Sequence, residues 1–264
     1  MNKPFLEISA MSHCIHKCSY CPQNKVVENY KSEEKFLSLE NFKIAILKLK
    51  EPSVIAFAGF SEPSSNKDIA DMAKFASEQG HELMIMTTLY CLSKEQYDEF
   101  RQLNWSHFSV HVLDEDNKSD IKITDKYLDI LKYVYDNPIP NIIYCHHSGD
   151  VAQEIKHLIP HSYLLEINSR ADNLDCDDEN VNRCYKSGRL VCGHRFLNGN
   201  SGLMLPSGDI QLCCSDFGLN YKLGNLLTDS WEDIQNSRVI KDVILDNANG
   251  NDTICRKCWL AKEI

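Results

Sequence analysis

The chain has 264 residues, a formal net charge of −10 and 43% hydrophobic residues. That length is enough for one large domain, or for a domain with a small appendage. The acidic balance argues against a nucleic-acid partner, which normally meets a basic patch, and no apolar run approaches the ~20 residues of a membrane helix. Nothing at the N-terminus resembles a signal peptide, so the protein is expected to be cytoplasmic. Its twelve cysteines are then expected to be reduced and to bind metal.

Strand-like apolar runs alternate with amphipathic helix-like runs through the first two thirds of the chain. Such alternation implies a parallel sheet with right-handed crossovers, hence an α/β protein with an open or partial (β/α)6 barrel. Ser38 is a plausible N-cap for the first helix. Strands are predicted at residues 5–9, 53–60, 81–89, 107–113, 141–147 and 163–168, and helices at 39–50, 67–79, 94–103, 125–135 and 151–158.

The last third of the chain, from about Cys192, has a different pattern. Two apolar runs flank residues 206–209, where Gly208 permits the tight turn of a hairpin. A helix at 230–245 and a Cys-x-x-Cys pair follow. We therefore predict two domains, a barrel at residues 1–185 and a small hairpin-plus-helix domain at 186–264.

Three cysteines follow the first predicted strand: Cys14, Cys18 and Cys21. They are spaced to bind three irons of a cubane cluster, which leaves the fourth iron open to a small molecule. A structural zinc loop is the alternative, with His13 or His16 as the fourth ligand. The place of the loop after a strand, where a parallel barrel carries its chemistry, favours the cluster.

This spacing resembles the CxxxCxΦC loop of the radical S-adenosylmethionine (SAM) enzymes, with Tyr20 as the aromatic residue that contributes to cofactor binding. The resemblance implies a partial barrel, and a [4Fe–4S] cluster held by the three cysteines and by SAM. It also implies reductive cleavage of SAM to a 5′-deoxyadenosyl radical. The electron would come from an external one-electron reductant such as flavodoxin or ferredoxin.

A second set of thiols lies in the C-terminal third. From spacing alone, zinc and iron–sulfur suit four thiolates about equally. The order of cysteine, hairpin, Cys-x-x-Asp, Gly-Asn-Leu, Trp-x-x-Ile and CxxC resembles the SPASM and twitch extensions of radical SAM enzymes. That resemblance implies one auxiliary [4Fe–4S] cluster of the twitch type. Cys214 is expected to point to the opposite face of its strand. The expected ligands are Cys192, Cys213, Cys255 and Cys258.

The SAM site is completed by resemblance. Many relatives have a Gly-Gly-Glu-Pro turn after the second strand, and Gly59, Ser61 and Glu62 of the stretch Gly-Phe-Ser-Glu-Pro stand in that place here. Ser61 replaces a glycine. If that position requires a positive φ, the replacement costs about 1 kcal/mol.

Four further residues are candidates for cofactor or substrate contacts. Thr87 and Thr88 end the third predicted strand, and Ser109 lies in the fourth; each also fits an ordinary structural role. Arg170 follows the sixth strand in a stretch similar to the Ser-Arg-Ala-Gly of SPASM relatives. Its planar cation suits a carboxylate or a substrate oxygen, and a plain surface arginine is the alternative.

Three classes of function remain. The first is a radical SAM dehydrogenase or epimerase acting on a sugar, cyclitol or similar molecule, as in the twitch-bearing aminocyclitol dehydrogenases. An epimerase needs a thiol that returns a hydrogen atom, and Cys145 at the end of the fifth predicted strand is the candidate. The second class is a peptide-modifying enzyme. The early first strand leaves no room for a leader-binding domain, which favours the first class. A non-enzymatic metal module is the third, and an open iron suits it poorly.

Overall fold

The computed structural model describes residues 3–175, 181–193, 196–197 and 200–264. Strands and helices alternate from Phe5 to Leu164, with short 3-10 helices at Pro63–Ser65 and Lys156–Leu158. No helix within these ranges is long and apolar enough to cross a membrane. The strands are β1 Phe5–Ile8, β2 Val54–Phe57, β3 Glu82–Thr87, β4 Trp105–His111, β5 Ile143–His146 and β6 Ser162–Leu164; the helices are α1 Gln23–Asn29, α2 Leu39–Leu47, α3 Ile69–Glu78, α4 Lys94–Arg101 and α5 Asp125–Asp136.

The six strands lie side by side in chain order, and every neighbouring pair is parallel. This confirms the expected α/β fold of the partial (β/α)6-barrel type. Because side chains alternate across a strand, one face of the sheet packs under the helices and the other lines the concave interior. The helix-facing core includes Leu6, Ile8, Ile55, Phe57, Leu83, Ile85, Phe108 and Val110.

Helix starts follow the chemistry of their caps. The Ser38 hydroxyl accepts the Asn41 N–H at 3.1 Å, which confirms the predicted N-cap of α2. Ser93 and Gln96 form a reciprocal capping box at α4. Each such cap satisfies a backbone N–H that the first helical turn leaves without a partner, worth about 1 kcal/mol.

Three predictions in this region are wrong in detail. The helix expected at 151–158 contracts to the 3-10 turn Lys156–Leu158, because Val151 begins the segment extended, bridged to Asp114. The sixth strand ends at Leu164, short of the predicted 168. Helix α1 was not expected, since it buries only Val26 and so shows almost no apolar period.

The C-terminal third joins the same sheet. Its elements are β7 Leu190–Cys192, β8 Ser201–Met204, β9 Asp209–Gln211, β10 Lys222–Asn225, α6 Trp231–Gln235, α7 Arg238–Asn249, the 3-10 helix Ile254–Lys257 and β11 Ala261–Glu263. Strand β8 pairs in parallel with β1, and β8, β9 and β10 extend the barrel sheet to nine strands. A separate two-stranded ladder joins β7 to β11. The predicted division at residue 185 stays a prediction.

The hairpin between β8 and β9 turns at Gly208, as expected. Its φ is +82°, and a Cβ there would lie 2.4 Å from Leu227 Cγ, so only glycine fits. The single helix predicted at 230–245 is instead two helices. Ser230 caps α6 and Ser237 caps α7, and the second cap interrupts the run.

A buried arginine holds the C-terminal cysteine pair. Arg256 is 1% exposed, and its guanidinium donates to the carbonyl oxygens of Asn251 at 2.9 Å, Gly188 at 2.6 Å and Asn247 at 3.3 Å. A buried charge is tolerated only when its donors are satisfied. These bonds hold the short helix that carries Cys255 against the end of α7 and against the segment that precedes β7.

Candidate functional site

The three N-terminal cysteines lie in a loop after the carboxyl end of β1, where a parallel α/β sheet places its ligands. The segment after β4 braces the loop from outside. Ser19 N–H donates to Lys118 O at 2.9 Å, and Lys17 N–H donates to a carboxylate oxygen of Asp120 at 3.0 Å. The Cys18 thiol also reaches Ser119 O at 3.1 Å. The loop is therefore held in shape by protein contacts.

The three thiols are half-buried and lie close enough to affect one another's pKa. Burial raises the pKa of Cys14 to about 11 and that of Cys18 to about 12, and the neighbouring thiols add to both increases. Burial also raises the pKa of Cys21, which the Arg170 guanidinium partly offsets. As bare thiols the three would stay protonated, whereas a bound metal deprotonates its thiol ligands outright.

The donors of the loop are compatible with a cluster. Among the described residues, no three His, Cys, Asp or Glu side chains converge in a way that could hold a single metal ion. Ligands of a cubane bind different irons and need not converge on one point. His16, one proposed zinc ligand, instead hydrogen-bonds through Nε2 to Thr88 Oγ1 at 3.0 Å. The loop thus fits three ligands of a cubane.

The turn after β2 packs directly on the end of β1. Gly59 has φ +75°, and a Cβ there would lie 3.0 Å from Ser9 Cβ, so glycine is required. Ser61 is not among the residues with positive φ, so the strain considered for it does not arise. Its hydroxyl accepts the Met11 N–H at 3.1 Å. Ser61 therefore fastens the turn to the chain that leads into the cysteine loop.

Glu62 joins this turn to the end of β3. It is 4% exposed, and its carboxylate accepts the Thr88 N–H at 2.7 Å, the Thr88 hydroxyl at 2.9 Å, the Thr87 hydroxyl, and both the N–H and the hydroxyl of Ser64. The predicted residues Glu62, Thr87 and Thr88 thus lie together, but their side chains are engaged with each other. These bonds fix the turn after β2 to the end of β3.

Tyr20 packs inside the mouth of the barrel on a pair of histidines. Its ring centroid is 3.9 Å from that of His147, and His147 Nε2 lies 3.1 Å from His111 Nδ1. Burial lowers the pKa of His111 to about 4 and that of His147 to about 3, so both are neutral at physiological pH. His147 Nδ1 is buried and has no hydrogen-bond partner among the described residues. Cys145 was expected at this strand end, but the pairing of the nearby His147 with His111 was not predicted.

Two other predicted residues lie on the same strands. Ser109 of β4 is buried, and its hydroxyl donates to Ile85 O at 3.4 Å. Cys145 of β5 is 6% exposed, and burial raises its pKa. Their strand neighbours Val110 and Tyr144 pack in the helix-facing core. Because side chains alternate along a strand, those of Ser109 and Cys145 point to the interior.

Arg170 begins a rare left-handed turn. Arg170, Ala171 and Asp172 have φ values of 50°, 53° and 64°, a conformation that costs L-residues about 1–2 kcal/mol each. Asn168 Oδ1 accepts the Arg170 N–H at 3.0 Å, and Ser169 Oγ accepts the Asp172 N–H at 3.1 Å. Such strain persists where the surroundings determine it, most often at functional sites.

The Arg170 guanidinium is close enough to groups on three different elements to affect their pKa values. It opposes the increases that burial causes at Glu7 and Cys21, and it adds to the decrease at His147. Arg170 therefore sits between the cysteine loop and the barrel walls. Glu7 was not predicted as a site residue. A single acid within the run Phe-Leu-Glu-Ile has no sequence signature apart from its position on the inward-facing side of the strand.

Five cysteines line one cavity at the C-terminal end of the chain: Cys192, Cys213, Cys214, Cys255 and Cys258. Burial raises the pKa of Cys255 and Cys258, and carries those of Cys213 and Cys214 well above the usual value. The cavity offers about 440 Å³ including its open mouth. A sulfur-lined, otherwise apolar cavity of this kind fits an iron–sulfur cluster. The other walls are Phe196, Leu197, Leu212, Ser215, Ile254, Leu260 and Ala261.

The expectation that Cys214 points to the opposite face of its strand is wrong. Strand β9 ends at Gln211, and Cys214 lies in the following turn, so strand alternation no longer applies. Cys214 lines the same cavity as Cys213, while Glu7 and Arg170 act on its charge from the barrel side. Cys214 thus stands between the cavity and the barrel interior.

Family models match two stretches of the chain. The radical SAM superfamily matches residues 8–159, and SPASM, an iron–sulfur cluster-binding domain, matches residues 196–259. The fold and the cysteine loop define a radical SAM enzyme. The protein belongs to the radical SAM superfamily and carries a SPASM domain, which confirms both resemblances. SAM, its [4Fe–4S] cluster and an auxiliary iron–sulfur cluster come with that membership.

Solved structures with this fold include enzymes of different kinds. BtrN, in complex with AdoMet and 2-DOIA, is 17% identical with a TM-score of 0.63 over 95% of this chain and 89% of BtrN. Streptococcus suis SuiB bound to the precursor peptide SuiA is 12% identical, with a TM-score of 0.65 over 92% and 67%. Native anSMEcpe with AdoMet and the Cp18Cys peptide is 13% identical, with a TM-score of 0.58 over 97% and 86%. No curated protein matches the sequence.

Proposed function

We propose that the protein oxidises a small polyol or amino-polyol held inside the barrel. When bound and reduced, the N-terminal cluster and SAM supply a 5′-deoxyadenosyl radical that abstracts a hydrogen atom from the substrate. A flavodoxin or ferredoxin would give the electron. The observation that carries this proposal is that the Glu7 carboxyl, turned to the interior by strand alternation, lies close enough to the Arg170 guanidinium for that cation to oppose the effect of burial on its pKa. Two polar groups of this kind suit a small hydroxylated molecule.

The ligand assignment follows the two thiol groups. We infer that Cys14, Cys18 and Cys21 hold the cluster that binds SAM. The auxiliary cluster falls to the C-terminal cavity. In each group, burial raises the pKa of thiols that a bound metal would deprotonate, among them Cys14, Cys18 and Cys258. The inferred ligands of the auxiliary cluster are Cys192, Cys213, Cys255 and Cys258.

The chain's own groups would position SAM in two ways. The backbone of Gly59, shaped by its positive φ and held by Ser61 and Glu62, would receive the methionyl group. Thr87 and Thr88 keep that turn against β3 through Glu62. At the other side of the mouth, Tyr20 presents a ring that can lie against the adenine, and Ser109 lines the wall between them.

Arg170 would grip a substrate oxygen. Its turn is strained and well bonded, so the backbone that carries this side chain is ordered in advance of binding, which limits the entropy lost on association. Oxidation and epimerisation differ in the step after hydrogen abstraction. Epimerisation would require Cys145 to return a hydrogen atom to the substrate from its interior position.

A peptide substrate is the second candidate, and one observation favours it. Strand β6 is the last strand in the order of the described sheet, and Tyr163 and Leu164 are 54% and 59% exposed. An exposed edge of this kind can pair with an extended peptide. SuiB and anSMEcpe were solved with peptides, and BtrN with 2-DOIA, so the neighbours favour neither substrate.

The reaction in deuterium oxide separates these functions. Anaerobically reconstituted protein is incubated with SAM, reductant and a panel of inositols and amino-inositols, and the products are weighed. A product that has lost two hydrogen atoms, with one transferred to 5′-deoxyadenosine, supports oxidation. A product that has gained one deuterium contradicts oxidation and indicates an epimerase that uses Cys145. The triple variant with Ala at Cys14, Cys18 and Cys21 should release no 5′-deoxyadenosine.

A further inference from the structure

Glu7 is an acid in the middle of an otherwise apolar strand. Its neighbours Leu6 and Ile8 pack in the helix-facing core, so alternation turns Glu7 toward the barrel interior. Its register partners are Ala56 on β2 and Leu203 on β8, and neither carries a charge. The residue is 9% exposed. A carboxyl group buried in such a place is costly, which makes Glu7 a candidate for a functional role.

The carboxyl group is only half satisfied. Gly59 N–H donates to Oε1 at 2.9 Å, and the second oxygen has no hydrogen-bond partner among the described residues. The charged and titratable groups that face it are Arg170 from the turn after β6 and Cys214 from the turn after β9. Burial raises its pKa to about 7, against the opposing effects of the Gly59 N–H and Arg170. Near neutral pH the group can therefore both take and release a proton.

We propose that Glu7 is the catalytic base that accepts the substrate's hydroxyl proton during oxidation. The inference rests on the proposed function. The carbon–hydrogen bond breaks first, and that hydrogen atom goes to the 5′-deoxyadenosyl radical. The carbinol radical left behind then gives its O–H proton to the free oxygen of Glu7 and one electron to the oxidised auxiliary [4Fe–4S] cluster. A carbon–oxygen double bond forms, and the substrate has lost two hydrogen atoms in all.

Three other titratable side chains at the mouth of the barrel, Glu62, His111 and His147, suit the role of base less well. The Glu62 carboxylate accepts five hydrogen bonds from Ser64, Thr87 and Thr88. His111 and His147 are bonded to each other, and burial keeps their pKa values near 4 and 3, too low for a base at neutral pH. Glu7 keeps an open oxygen and lies beside Arg170, the group proposed to grip the substrate.

The first arm of the test measures ketone formed for each 5′-deoxyadenosine released. The probes are inositols and amino-inositols, and the variants are Glu7→Gln, Glu7→Asp and Glu82→Gln. Glu82 is the matched control, a carboxylate at the amino end of β3 that pairs with Lys3 at 2.9 Å. We expect the ratio to fall at least tenfold in Glu7→Gln and to be partly restored in Glu7→Asp. Glu82→Gln should match the wild type, and equal ratios in Glu7→Gln and Glu82→Gln would overturn the proposal.

The second arm needs no substrate. Infrared spectra of the cluster-loaded protein, recorded across pH 5 to about 9, should show a protonated carboxyl band that disappears near neutral pH. The band should be missing in Glu7→Gln and present in Glu82→Gln. A wild-type protein without such a band has an ionised Glu7 throughout, and the inference fails. Failure of the proposed function looks different: wild type then releases no 5′-deoxyadenosine, or releases it without ketone from any probe.

Discussion

Lys257 Nζ lies 3.0 Å from Asp172 Oδ2, so the segment between the last two cysteines is tied to the turn that carries Arg170. Asp172 also accepts Arg183 at 2.9 Å. A second tie runs through Asn173, whose side-chain amide donates to Arg170 O at 2.8 Å and to Ser215 O at 2.9 Å. These contacts connect the cavity lined by five cysteines, called here the auxiliary cavity, with Arg170, the residue proposed to bind the substrate. Order in one therefore favours order in the other.

Asp172→Asn should weaken substrate binding more than it weakens the fold. The three charged side chains are 41–43% exposed, and solvent screening limits such pairs to about 0–1 kcal/mol. Asn tolerates the left-handed conformation, so the variant removes charge without adding strain. We expect KM for the substrate to rise several-fold. The control is Asp136→Asn, which breaks an exposed helical ion pair with Lys132 and should leave KM unchanged. If KM is also unchanged in Asp172→Asn, the ion pairs of Asp172 do not help to position Arg170.

Cys213→Ala and Cys214→Ala should differ in iron content. Both thiols line the auxiliary cavity, but Glu7 and Arg170 act on Cys214 from the barrel side. Cys213 is therefore the expected ligand. Reconstituted wild type should bind about eight irons, four in each cluster. Cys213→Ala should lose about half of them and Cys214→Ala none, as measured by iron and sulfide analysis. The reverse result would move the ligand by one residue, and stoichiometric zinc would mean that the metal is wrong.

Local signals in the sequence predicted most of the barrel. Apolar periods of two residues and of about 3.6 residues alternate along the chain, and they predict alternating strands and helices. The six predicted strands lie in chain order in the sheet. The cysteine loop and the CxxC pair are equally local. The site residues predicted from strand ends, such as Thr88 and Arg170, do lie at the mouth of the barrel. Their roles stay predictions.

Long-range relationships were not predictable in this way. The pairing of β8 with β1 joins distant parts of the chain and has no sequence signature. The place of Cys214 depends on a strand that ends at Gln211, which alternation alone does not reveal. Glu7 gains its significance only when Arg170 and Gly59 are brought to it by the fold. Helix α1 was missed because tertiary context, and not its own pattern, supports it.

Gly59→Ala should damage the site through backbone strain and through a steric clash. Gly80→Ala adds only the strain, so it separates the two effects. Both glycines have positive φ, +75° and +81°, so each alanine carries the same backbone strain of about 1 kcal/mol. A Cβ at Gly59 would also lie 3.0 Å from Ser9 Cβ, whereas nothing lies within 4 Å at Gly80. Chemical denaturation should show the larger loss of stability in Gly59→Ala, and calorimetry should show weaker SAM binding in that variant alone. Equal losses and equal SAM affinities would contradict the close packing of this turn on β1.

The Glu7 carboxyl should make stability depend on pH. Its pKa is about 7 in the folded protein against an ordinary value of 4.5, so the folded state holds a proton that the unfolded chain releases. The resulting stabilisation is complete below pH 4.5 and is lost as the pH rises through 7. The shift corresponds to at most about 3 kcal/mol. Glu7→Gln has no such proton, so its free energy of unfolding relative to wild type should rise between pH 5 and about 8. Anaerobic denaturation across that range measures the difference; a Glu7→Gln difference that does not change with pH would show that Glu7 is ionised in the folded protein.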